Sequence, residues 1–157
     1  MHREPERFRR LYFGFDLERF YLRLDPNVPE EPRNGTPPEA VGTAPPPDDL
    51  EIQVQFIEPT PAKLVFPIEV PDPPQYMLWR SDDGTEFLPV RTGDSICRKK
   101  VIELALPFKD LDLRPGARVH LVVKVMQGDI ELERYPQDRP LAFTVPDHTF
   151  EATMWRV

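Results

Sequence analysis

Twenty-one of the 157 residues are proline, against only seven glycines. Proline gives a helix no N–H and its ring clashes with the preceding turn, at a cost of about 3 kcal/mol or more in a helix interior. The prolines run from Pro5 to Pro146 and leave few uninterrupted stretches of helical length. An all-β chain is therefore expected.

Apolar residues recur with a period of two wherever proline is sparse. Over residues 9 to 25, Leu11, Phe13 and Phe15 alternate with Tyr12, Gly14 and Asp16, and Phe20, Leu22 and Leu24 alternate with Tyr21, Arg23 and Asp25. This pattern predicts a β-hairpin with one wet face, turning at Leu17-Glu18-Arg19. Leu50, Ile52, Val54 and Phe56 form a second apolar stripe, Ile102, Leu104 and Leu106 a third, and Val119, Leu121, Val123 and Val125 a fourth. Asp83-Gly84 and Gly128-Asp129 stand as turn signals between strand-like runs. Pro67 and Pro89 inside such runs predict edge strands or bulges. About ten short strands without helices to make parallel crossovers predict an antiparallel β-sandwich, jelly-roll-like in its many short strands.

The length matches one domain over 1–157 with a core large enough to stand without disulfides. Cys97 is the single cysteine, so no internal disulfide can form. Residues 27–48 hold seven of the prolines, few large apolar groups and no repeated PxxP beside basic residues. They are expected to form a proline-rich mobile loop within that domain.

Charge and chemistry exclude several function classes. With 20 Lys and Arg against 27 Asp and Glu, the net charge of −7 opposes nucleic-acid binding. No apolar run approaches the roughly 20 residues that span a bilayer, and MHREPERFRR precedes no apolar signal core. No membrane association and a cytoplasmic location are expected. His2, His120 and His148 lie far apart, which argues against a metal site. No GxSxG elbow or catalytic-cysteine signature occurs, and the carboxylates fall mainly in turns and connections, where solvent keeps them ionised. The chain is read as a non-enzyme with no catalytic residues, no metal and no cofactor.

Aromatic residues carry the remaining signal. Tyr12 and Tyr21 fall on the wet face of the first hairpin, where a ring offers flat apolar area with a polar edge. Such rings suit the apolar face of a pyranose or a protein interface. Trp79 and Tyr76 stand in a run leading to the Asp83-Gly84 turn, beside Arg80 and Asp82, which would hydrogen-bond sugar hydroxyls. Those four residues are the candidate carbohydrate site.

Three segments resemble a known family. LYFGFDLERFYLRLDP is similar to the opening hairpin of the C-terminal β-sandwich domain in glycoside hydrolase family 57 proteins, which act on α-glucans. IELALPFKDLDLRPGARVHLVVKV resembles a strand, proline turn and strand shared by those domains and by family 9 carbohydrate-binding modules of the DOMON-like superfamily. ELERYPQDRPLAFTVPDHTFEATMW resembles the closing segment of the family 57 domain. Together they cover 9–26 and most of 101–157, and residues 27–100 match no part of the family pattern. The family's catalytic carboxylates belong to a separate, larger domain. The resemblance thus implies a non-catalytic accessory domain that binds α-glucan or oligosaccharide and partners a family 57 catalytic domain. The alternative is a structural packing domain, whose exposed rings dock on a larger hydrolase and bind no sugar themselves.

Overall fold

The computed structural model describes residues 7–26, 50–69 and 72–147. The expected proline-rich loop at 27–48 lies outside the described residues, as does the chain end from 148. Among the described residues eleven strands follow in order: β1 Phe8–Phe15, β2 Arg19–Pro26, β3 Leu50–Glu58, β4 Ala62–Pro67, β5 Tyr76–Arg80 and β6 Leu88–Gly93. Then come β7 Ile96–Arg98, β8 Ile102–Pro107, a 3-10 turn at Phe108–Leu111, β9 Arg118–Gln127, β10 Ile130–Tyr135 and β11 Leu141–Thr144. Among the described residues no helix is long and apolar enough to cross a membrane.

The strands form two antiparallel sheets, a short one ordered β1-β2-β8-β7 and a long one ordered β10-β9-β3-β4-β5-β6, with β11 also pairing β9. The chain is an all-β sandwich. Each sheet turns one apolar stripe toward the other. Phe20, Leu22, Leu24, Ile102, Leu104 and Leu106 of the short sheet meet Ile52, Val54, Phe56, Leu64, Leu121 and Val123 of the long sheet in one core. At roughly 1.5 to 3 kcal/mol for each large side chain removed from water, this interface is the main favourable contribution to the fold. Phe20 stacks on Phe143 at 5.2 Å between centroids and meets Phe56 edge-on at 6.3 Å, joining β2, β11 and β3.

Proline and turn chemistry set the element ends. Pro67 ends β4, and Pro89 sits in the edge strand β6, opposite Trp79 and beside a bulge, where the missing N–H breaks no inner ladder. Residues 94 to 106 alternate poorly because they hold two strands, β7 and β8, folded into a tight hairpin. The LPFKDLDLRPG stretch closes as the 3-10 turn, with Phe108 and Leu111 buried and Asp112 in the left-handed region at φ 52°.

Phe13 departs from the pattern. It pairs with buried Leu22 and shares its inward phase, yet is 44% exposed. Its strand is the edge of the short sheet.

Leu104 and Leu121, on opposite sheets, are 3% and 0% exposed. Leu104→Ala and Leu121→Ala should each lower unfolding free energy by roughly 2 to 5 kcal/mol in urea titrations. Losses near zero for both would contradict the register.

Candidate functional site

The strand period that buries Phe20, Leu22 and Leu24 sends Tyr21 and Arg23 to the outer face of the short sheet. Register then assembles their neighbours: Tyr21 lies opposite Gly14 on β1 and Ala105 on β8, and Arg23 opposite Tyr12 and Glu103. Cys97 pairs with Glu103 at the far edge. The Ser95 carbonyl, just before β7, accepts the Ala105 amide. These residues and Asp94 line a groove of about 550 Å³.

Small side chains at Gly14, Ser95 and Ala105 leave the floor open between the walls. A Cβ built on Gly14 meets nothing within 4 Å, so glycine there widens the groove rather than relieving a clash. Tyr12 and Tyr21 are 44% and 39% exposed, large rings that the fold leaves uncovered. The Arg23 guanidinium lies 5.5 Å from the Tyr12 ring centroid and is paired with Asp25 at 2.8 Å, which offsets its charge locally.

The two phenols differ in their hydrogen bonds. Tyr12 accepts from Arg10 Nη1 at 3.0 Å, whereas Tyr21 donates to Asp16 Oδ2 at 2.7 Å. Asp16 also caps the β1–β2 turn, its Oδ1 accepting the Glu18 and Arg19 amides at 2.8 Å each. The Tyr21 hydroxyl and these amides hold the Asp16 carboxyl below its ordinary range, and the same bond raises the Tyr21 phenol.

Trp79, Tyr76, Arg80 and Asp82 do not share one surface. Tyr76 and Trp79 are three positions apart on β5, so alternation sends them to opposite faces. Tyr76 is 4% exposed and enters the core. Its ring lies where a Gly93 side chain would be, and its hydroxyl lies 3.2 Å from Ser95 Oγ. Burial raises its pKa, offset in part by that bond. Trp79 stays on the outer face of the long sheet, where Lys63 Nζ sits 5.6 Å from its ring and 4.6 Å from that of Phe87. Arg80 bonds Asp112 and the Asp110 carbonyl, tying β5 to the 3-10 turn. Asp82 is exposed in the turn, beside Asp83, whose carboxyl accepts the Thr85 and Glu86 amides and is held well below the usual range. Of the four, Tyr76 alone is bonded to a residue lining the groove.

Asp94, Ser95, Glu103 and Ala105 carry no local sequence signal for a site. Tyr12 and Tyr21 do, by their phase on the hairpin. Among the described residues no three His, Cys, Asp or Glu side chains gather to hold a metal ion. Comparison with models of protein families, with curated proteins and with solved structures finds no match to this chain.

Two outcomes follow from these contacts. Gly93→Ala should destabilise the protein by roughly 1 to 3 kcal/mol in chemical denaturation, because the new methyl collides with the Tyr76 ring; an unchanged midpoint would show that the ring moves freely. The second outcome is set by acid. Because folding lowers the Asp16 pKa, the stability this carboxylate adds is complete above the ordinary value of about 3.9 and is lost as pH falls through the folded value. Tyr21 ring resonances should therefore shift on acidification from about pH 5 to about pH 2 in wild type and stay put in Asp16→Asn. Equal behaviour of the two proteins would contradict the contact.

Proposed function

We propose that the chain is a non-catalytic carbohydrate-binding domain whose site is the outer groove of the short sheet. One observation carries the reading: two exposed tyrosine rings, a floor of small residues and the polar side chains Arg23, Asp94 and Glu103 converge on one concave surface. A pyranose presents an apolar face of C–H bonds and a rim of hydroxyls that donate and accept. Rings stack on the first and ionised side chains bind the second.

The resemblance of 9–26 and most of 101–157 to the C-terminal sandwich of family 57 glycoside hydrolases supports an α-glucan as the ligand and a catalytic neighbour as the partner. Those segments supply Tyr12, Gly14, Tyr21 and Arg23 from the first and Glu103 and Ala105 from the second, while Asp94, Ser95 and Cys97 come from the unmatched stretch between them. A second reading has its own observation. Phe13, which also lines the groove, and Leu17, 44% and 43% exposed, add apolar surface along the hairpin, as a domain that packs on a larger hydrolase would require.

Calorimetry with maltohexaose separates the readings. A shallow sugar site should give a dissociation constant from micromolar to millimolar, about −8 to −4 kcal/mol. Tyr21→Ala should weaken binding about tenfold or more, while unfolding free energy falls by only about 1 kcal/mol, the scale of the one hydrogen bond lost to Asp16. Gly14→Val, whose methyls fill the groove floor, should abolish binding with the fold intact. Trp79→Ala should leave affinity unchanged, because that ring lies on the other sheet. No binding heat from wild type would favour the packing domain, and a loss confined to Trp79→Ala would move the site to the long sheet.

A further inference from the structure

We infer that Asp16 is a positioning residue of the groove: by taking the Tyr21 hydroxyl proton, it fixes that ring and leaves the phenol oxygen to a ligand as an acceptor only. The inference rests on the carbohydrate reading and names the chemistry at one wall of that site.

A phenol has one proton to donate and lone pairs to accept. At Tyr21 the proton is committed to Asp16 Oδ2 at 2.7 Å, a short bond to an ionised carboxylate. At Tyr12 the arrangement is reversed: the oxygen accepts from Arg10, and the proton remains for an outside acceptor. The two tyrosines therefore offer opposite polarity on the same face, Tyr12 giving and Tyr21 receiving. A neutral sugar, whose hydroxyls both donate and accept, meets both demands. A carboxylate, which only accepts, meets Tyr12 and is refused at Tyr21. Glu103 and Asp94 in the groove add acceptors of the same sign, while the charge of Arg23 is offset by Asp25. The ligand class is thus a neutral saccharide rather than a uronic one.

The position of Asp16 makes the polarity testable without breaking the turn. Its Oδ1 already accepts two amides, those of Glu18 and Arg19. An asparagine at this site keeps the turn by spending its one carbonyl on those amides. Its NH2 then faces Tyr21, and the bond reverses. Tyr21 becomes the acceptor, its proton is released, and the wall changes from receiving to giving.

Wild type, Asp16→Asn and Tyr21→Phe are compared by alkaline titration of the phenols, and by binding of maltohexaose and of a polygalacturonate oligomer. Beside the buried Tyr76, which also titrates late, a second late-titrating phenol should be seen in wild type, be absent from Tyr21→Phe and return to an ordinary midpoint near 10 in Asp16→Asn. Maltohexaose should bind Asp16→Asn about fivefold to tenfold more weakly, with a cooperative thermal melt retained, from the loss of one correctly directed hydrogen bond. The acidic oligomer should bind wild type at least tenfold more weakly than maltohexaose does. Superimposable titrations of wild type and Asp16→Asn would overturn the inference, as would equal maltohexaose affinity or an acidic oligomer that binds wild type as well as maltohexaose. Failure of wild type to bind maltohexaose overturns the carbohydrate reading itself, and the titration still decides separately whether Asp16 holds Tyr21.

Discussion

The antiparallel pairing of β2 with β8 is the contact on which the rest of the molecule depends. It joins strands far apart in the chain and sets Phe20 against Leu106, Leu22 against Leu104 and Leu24 against Ile102, all buried. A slip of one residue would turn each of these side chains to water, so burial holds the register. The same register sets Tyr21 beside Ala105 and Arg23 beside Glu103 on the opposite face. The groove is consequently a by-product of the core. Nothing that preserves the packing of β2 and β8 can move its tyrosine away from its alanine.

The two outer faces of the sandwich have been given different electrostatic treatment. On the long sheet, Lys63 covers the Trp79 and Phe87 rings, so the aromatic surface there already has a cation above it. On the short sheet, Tyr21 is held through its hydroxyl by Asp16, at the ring's edge. Fixing a ring by its edge lowers the entropy that a ligand must remove on binding, because the side chain is already in place.

Much of this architecture was legible in the chain, because one-sided burial writes itself into a strand with a period of two. The hairpin at 9–25, the stripe at 50–56 and the stripe at 119–125 all appear as β1–β2, β3 and β9, and their apolar phases are the buried ones, with Phe13 at the sheet edge excepted. Partner choice was not legible. That β2 lies beside β8, and β3 between β4 and β9, depends on contacts between distant segments, which no local pattern encodes. The sequence accordingly points to Trp79 and Tyr76, neighbours in the chain that a five-residue strand sends to opposite faces. Tyr12 and Tyr21 had the right phase, but the small residues that make a groove beside them come from β1, β8 and the approach to β7. The expected loop at 27–48 falls outside the described residues.

Whether the short-sheet groove binds sugar is tested most directly by a map of backbone amide shifts in the ¹⁵N-labelled protein as maltohexaose is added. A saccharide seated in the groove should perturb Gly14, Tyr21, Ser95, Glu103 and Ala105 together, four separate pieces of chain gathered by the β1-β2-β8-β7 sheet. Shifts confined to the surroundings of Lys63, Trp79 and Phe87, or no shifts at millimolar sugar, would contradict a site in that groove.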